Sequence, residues 1–205
     1  MASDTGYAKG RAKRSEIIEQ ATALFGEVGY RSASLREIAS RCGISHPGLL
    51  HHFGSKELLL LAVLEHRDRV DAEGLGLVDA RGADTFARIV ALVGRNSERR
   101  AIVELFATLS AEAAAPDHPA HSYFVERYRA VVERSARAYG EAAEDGALAP
   151  GVDPEDAARE LVALMDGLQV QWLLNPSDTD MQRLVQAHLE RQLVAPLADF
   201  QPEEE

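Results

Sequence analysis

Residues 34–56, SLREIASRCGISHPGLLHHFGSK, limit what this 205-residue chain can fold into more than any other stretch. Leu35, Ile38 and Ala39 fall at helical spacing, so a first short helix has one face to bury, and the small Ala39 leaves room for a second helix to cross closely. Gly43 can take the positive φ that ends a helix and turns the chain sharply. Ile44 then enters the core and Ser45 is a good N-cap for the next helix. Pro47 falls in that helix's first turn, where its missing N–H costs nothing. Leu49 and Phe53 supply an inward face and leave His46, Gly48, Leu50, His51 and His52 mostly outward. The pattern is a helix-turn-helix, whose second helix is built to enter a DNA major groove.

The surroundings sharpen the reading. Ile17, Ala21, Phe25 and Gly29-Tyr30 precede the motif, Ser34, Arg36, Glu37, Ile38, Ala39, Gly43-Ile44-Ser45, Leu49 and His52-Phe53 lie in it, and Ser55-Lys56-Glu57-Leu58 close it. On these residues the first third of the chain resembles the DNA-binding domain of the tetracycline-repressor (TetR) family of bacterial regulators. The remainder matches in helical layout and in an Asp166-Gly167-Leu168 to Asn175-Pro176 pattern. Leu50 stands where the family commonly has tyrosine, which removes the usual aromatic hydroxyl contact to the DNA backbone.

A formal net charge of −11 looks wrong for a DNA binder until it is divided along the chain. Residues 1–66 hold 8 Lys and Arg against 7 Asp and Glu, with four of the seven histidines; residues 67–205 hold 14 against 26. The acidic part is repelled by DNA and is expected to point away from it. The single cysteine excludes an internal disulfide framework, and Cys42 is expected to be inert packing at the turn. No apolar run approaches the roughly 20 residues that span a bilayer, and the polar N-terminus lacks the apolar core of a signal peptide. The expectation is a cytoplasmic protein without membrane contact.

Taken in order, residues 1–10 read as a disordered basic tail, with Lys9, Arg11, Lys13 and Arg14 placed to touch phosphate or a minor groove. A first helix is expected from about Lys13 to Val28, stopped by Gly29, and a long helix from Ser55 ties the head to the body. Gly74, Gly76 and Gly82 mark the boundary between a DNA-binding domain (11–66) and an effector-binding and dimerisation domain (67–200), followed by an acidic tail (201–205). Helical patterns near 84–97, 99–115 and 120–145 lead to a helix opened by Asp153-Pro154 and stopped by Asn175-Pro176. A last helix carries Met181 to Leu193, and the whole is all-α, with about nine helices.

Ser34, Arg36 and Lys56 are candidates for backbone contacts that position the reading helix, with Ser45, His46, Pro47, Gly48, Leu50 and His51 on the helix itself. His46 can donate to a guanine acceptor, and Pro47 can pack on a thymine methyl. One such helix reads too little sequence, so a two-fold dimer with reading helices roughly 34 Å apart is expected. The last two helices are its candidate surface, through Leu161, Leu164, Leu168, Met181, Leu184, Val185, His188 and Leu189. The alternative is that these wide apolar faces are wholly internal. The family resemblance implies a pocket for a small apolar or amphipathic effector, with Phe106, Leu109, Tyr128, Met165 and Trp172 as candidate lining and Asp166 or Gln169 as a polar anchor.

The three histidines of the motif miss the i, i+4 spacing of a metal site, and no cofactor is expected. No nucleophile elbow or phosphate-binding glycine loop occurs, which argues against an enzyme. What remains is a dimeric repressor released by an effector, or a helical DNA-binding or scaffolding protein without a ligand switch.

Overall fold

The computed structural model describes residues 2–197, with side chains from residue 9 onward. Its described residues form nine helices: α1 (Ala2–Ser32), α2 (Leu35–Arg41), α3 (His46–Phe53), α4 (Lys56–Gly74), α5 (Gly82–Ser97), α6 (Arg100–Glu112), α7 (His121–Glu144), α8 (Pro154–Leu174) and α9 (Met181–Glu190). None of them is long and apolar enough to cross a membrane.

Helix α1 begins at Ala2, well before the expected start near Lys13, so residues 2–10 are helical rather than disordered. The segment contains no proline, and Ala2, Ala8 and Lys9 are good helix formers, although Gly6 and Gly10 are not. Once Ile17, Ala21, Leu24 and Phe25 are packed, extension into polar sequence needs no apolar periodicity. Gly29, at φ 78°, breaks the helix where a stop was expected, and a final turn runs to Ser32. The expected acidic tail, 201–205, lies outside the described residues.

Two cores organise the rest. The first gathers the buried faces of α1 to α4, including Leu24, Ile38, Leu49 and Leu60, and continues without a break into Ile102, Leu105, Phe106 and Leu109 of α6 and Phe124 of α7. The second joins α5, α7, α8 and α9, with the rings of Phe86 and Tyr139 4.5 Å apart at its centre. Helix α6 serves both, giving Ile102 to the first and Val103 to the second. The Asp153 carboxylate caps α8 by accepting from the N–H groups of Glu155 and Asp156, each at 3.0 Å.

The last helix is shorter than its apolar pattern implies. It ends at Glu190, and Leu193 instead forms an antiparallel bridge with Leu148. The Ala149 N–H donates to the Gln192 carbonyl and the Val194 N–H to that of Ala147, both at 2.9 Å. Leu193 is still buried, so its apolar character was a sound guide to burial but not to helicity.

Candidate nucleic-acid interface and effector cavity

The short helices of the motif are held by caps and packing, since eight residues alone do not sustain a helix in water. Ser34 Oγ accepts from the Arg36 N–H at 3.2 Å to start α2, and Gly43, at φ 63°, turns the chain out of it. Ser45 Oγ accepts from the Gly48 N–H at 3.1 Å to start α3, and Ser55 Oγ accepts from the Leu58 N–H at 3.2 Å to start α4. Leu49 and Phe53 are buried, each worth about 1.5–3 kcal/mol of burial free energy. Cys42 is buried at the turn, and burial raises its thiol pKa.

Ser45, Pro47 and His51 are exposed, while His46, Gly48 and Leu50 are half-buried, so the outward side of α3 carries all six helix candidates. A Cβ on Gly48 would stand 3.2 Å from Ser45 Oγ, so this glycine also makes room for the cap. Arg36 is exposed and has no ion pair among the described residues, because Glu37 is held by Arg41. Arg41 also grips both oxygens of Glu27, at 2.8 and 2.7 Å. Lys56 is turned inward: its Nζ donates to the Arg31 carbonyl at 3.0 Å and stands 4.7 Å from the Tyr30 ring centre. Its ammonium thus joins α4 to the end of α1, and desolvation lowers its pKa.

Lys13 and Arg14 are likewise fastened to the motif rather than held free for phosphate. Lys13 Nζ reaches the Cys42 carbonyl at 3.2 Å, and the Arg14 guanidinium lies 4.7 Å from the Phe53 ring centre.

Two of the cavities behind the head share a wall. The larger, about 700 Å³, is walled by α4, α5, α7 and α8; the smaller, about 270 Å³, by α4, α6, α7 and α8. Arg67 and Arg127 line both. Arg67 is 8% exposed, with Nη1 donating to Asp68 Oδ1 at 3.1 Å and Nε 2.8 Å from Asp71 Oδ2. Arg99 Nη1 donates to the other Asp71 oxygen at 2.7 Å. Arg127 Nε donates to both oxygens of Asp68, at 3.2 and 3.0 Å, and the Tyr123 hydroxyl donates to Asp68 Oδ2. Both guanidinium groups also lie over the Phe106 ring, 4.3 and 5.3 Å from its centre. Burial, reinforced by Asp68, raises the Tyr123 pKa well above the usual phenol range.

Phe106, Tyr128, Asp166 and Gln169 line the smaller cavity, and Met165 the larger. Tyr128 donates to Asp166 Oδ2 at 2.7 Å; burial raises the Asp166 pKa and pushes that of Tyr128 up to about 12. Leu109 and Trp172 line neither cavity. Leu109 is packed in the first core, and Trp172 is packed in the second beneath the Arg100 guanidinium. The charged cluster of Arg67, Asp68, Asp71, Tyr123 and Arg127 was not among the expected site residues. Its signal was present: Leu60, Val63, Leu64, Arg67 and Asp71 continue one helical face from apolar into charged residues.

The expected dimer surface needs correcting. Leu161, Leu168, Met181, Val185 and Leu189 are buried within the protomer, against α5 and α7, and cannot meet a partner. Leu164, Leu184 and His188 are half-buried. The outward stripe of α8 is instead Ala163, Gly167, Val170 and Leu174, the last two 49% and 82% exposed. The amphipathic pattern gave the buried face of these helices, and their solvent-facing side lies opposite it.

Comparison with known proteins places both halves of the chain. Residues 17–63 match the bacterial regulatory proteins of the tetR family, and residues 84–194 match the C-terminal part of BetI-type transcriptional repressors. The chain is 30% identical over 138 residues to the transcriptional repressor KstR2 of Rhodococcus jostii, covering 67% of this chain and 60% of that one. It therefore spans less than two thirds of that relative's length. To the regulator UidR of Escherichia coli it is 28% identical over 172 residues, covering 80% of this chain and 84% of the relative. In fold it is similar to SmeT, the repressor of a Stenotrophomonas maltophilia multidrug efflux pump, with a TM-score of 0.70 and 21% identity over 90% of this chain and 92% of that one. SmeT has also been solved in complex with triclosan.

Proposed function

Because the chain belongs to the TetR family of bacterial transcriptional regulators, which are not enzymes, we propose that it is a repressor that binds a palindromic operator as a homodimer and is released by a small amphipathic effector. The observation that carries this reading is the orientation of α3, with Leu49 and Phe53 buried while Ser45, Pro47 and His51 face outward. A helix so placed offers its first turn to base edges and its N-terminal N–H groups to phosphate. Ser34 and Arg36, which has no ion pair among the described residues, flank it for backbone contacts.

The dimer forms across α8 and α9, with Ala163, Gly167, Val170 and Leu174 at its centre and Leu164, Leu184 and His188 at its edge. Small residues at 163 and 167 allow close approach of a symmetry-related helix, and the exposed Val170 and Leu174 lose their contact with water. The cavity of about 700 Å³ favours a ligand switch over a scaffold without one, since small-molecule sites occupy about 300–1,000 Å³. Members of such a family act on DNA, which supports a cytoplasmic location.

Selection of bound sequences from random DNA, repeated at two salt concentrations, tests the proposal. A palindromic site with half-sites about one helical turn apart is expected, with affinity falling steeply as salt rises. Enrichment of no sequence, or binding insensitive to salt, overturns it.

A further inference from the structure

The walls of the two cavities are unequal in one respect: each central carboxylate is already paired with an arginine or a tyrosine, whereas the terminal nitrogens of one central guanidinium touch no carboxylate among the described residues. Both oxygens of Asp68 accept hydrogen bonds, from Arg67, Arg127 and Tyr123. Asp71 lies between two arginines: Arg99 Nη1 donates to Oδ1, and Arg67 Nε stands 2.8 Å from Oδ2 in an ion pair that lacks hydrogen-bond geometry. Arg127 carries five N–H donors, yet only Nε–H is engaged, and its two terminal nitrogens have no hydrogen-bond partner among the described residues. Asp166, the other carboxyl group of the smaller cavity, is held by Tyr128 instead. The acids at the mouth of the larger cavity, Glu65 and Glu126, are exposed, and Glu126 pairs outward with Arg129.

A cationic ligand would find Asp68 and Asp71 already neutralised by arginines and Asp166 held by Tyr128. An acceptor finds a planar fork with its terminal N–H groups unused, the geometry that carboxylates satisfy in pairs. Much of the rest of the larger cavity is apolar, with Leu61, Leu77, Ile89, Leu92, Val162 and Met165 in its wall beside Thr85, Ser122, Ser135 and the exposed Arg134. We infer that the effector is an amphipathic carboxylate whose head is taken by the terminal nitrogens of Arg127 in competition with Asp68, and whose apolar body fills the larger cavity.

The competition links the ligand to the head. Asp68 lies on α4, which starts at the DNA-binding motif, and its bonds to Tyr123 and Arg127 tie α4 to α7. A carboxylate that draws Arg127 away loosens that tie, and only its differential affinity for the loosened state moves the equilibrium. The inference rests on the proposed effector-released repressor and gives the chemistry of its ligand.

The test uses the full chain, with decanoate, decanol and decyltrimethylammonium as probes, followed by calorimetry and by release of the DNA selected above. Decanoate is expected to bind and release DNA at least about tenfold better than the other two, the scale of a charge-assisted pair. Arg127→Gln should abolish that preference while leaving decanol binding within about twofold, and Asp68→Asn should raise decanoate affinity because Arg127 loses its competitor. A merely structural cluster would give no gain in Asp68→Asn. Equal response to the three probes, or an unchanged preference in both variants, overturns the inference and leaves the effector reading standing. Binding by none of the three also overturns it, and a melting screen against a metabolite collection then decides the effector reading separately.

Discussion

Gly26, in the middle of α1, lies so close to Ala101 of α6 that a Cβ built on it would stand 2.6 Å from the Ala101 Cβ and 3.3 Å from the Ala101 carbonyl oxygen. At an ordinary interior helix position, glycine to alanine stabilises by about 0.5–1 kcal/mol. Here the sign reverses, because the nearest atom is the Ala101 Cβ, which has no rotamer to change, with Ala101 backbone just behind it. Gly26→Ala is expected to lower the melting temperature. Gly140→Ala in α7, where nothing lies within 4 Å of the added Cβ, should raise it. Thermal unfolding of the two variants side by side checks the pair.

Ser45→Ala removes the cap of an eight-residue helix and is expected to cost about 0.5–2 kcal/mol. The loss falls on the proposed reading helix, so DNA affinity should drop by more than global stability alone accounts for. Chemical denaturation and DNA titration of the same preparation separate the two effects.

Arg36 and Lys56 should part company when each is replaced by alanine. Arg36→Ala removes an exposed cation and is expected to weaken binding to all sequences alike, reducing the salt slope by about 1. Lys56→Ala breaks the tie to the Arg31 carbonyl and the Tyr30 ring, so its principal effect should be a lower melting temperature with the slope unchanged. Affinity measured across a salt series distinguishes them.

Asp166 carries a raised pKa because burial disfavours its charge, opposed by Tyr128 and Arg127. The folded state therefore holds this proton more tightly than the unfolded chain, so its contribution is fully present below the unfolded pKa of about 4 and is lost as pH rises through the folded value. Asp166→Asn keeps an acceptor for Tyr128 without the charge. Its melting temperature relative to the parent should rise as pH is taken from about 4 to neutrality. A gap independent of pH would contradict the assignment.

Leu161 and Leu174 lie on one helix and face opposite ways, at 0% and 82% exposure. Leu161→Ala should destabilise the protomer by roughly 2–5 kcal/mol. Leu174→Glu should leave the fold intact and shift the molecule from dimer to monomer. Analytical ultracentrifugation with circular dichroism reads both.

Much of the fold was legible because its determinants are local. Ser34, Ser45, Ser55 and Asp153 each start a helix through their own side chain, and Gly29 and Gly43 each turn the chain at a position that requires positive φ. The outward face of α3 followed from Leu49 and Phe53 alone. What was not legible is pairwise. Apolar spacing shows that Leu161 and Val185 are buried but not whether by the same subunit, and the structure buries them against α5 and α7. Lys56 reads as an exposed cation until Tyr30 and Arg31 are brought beside it. The cavity cluster escaped for the same reason: Asp68 and Arg127 are 59 positions apart, and no periodicity joins them.

The first core runs unbroken from Leu24 and Leu49 into Leu105, Phe106 and Leu109. A chimera that grafts this head onto a relative's body by cutting after Gly74 would therefore leave half of a seam behind and present α1 with foreign side chains at the Gly26 crossing. On the proposed reading, swapping operator specificity between such proteins is better done by exchanging the outward residues of α3 alone, because those side chains are separable while the scaffold beneath them is not.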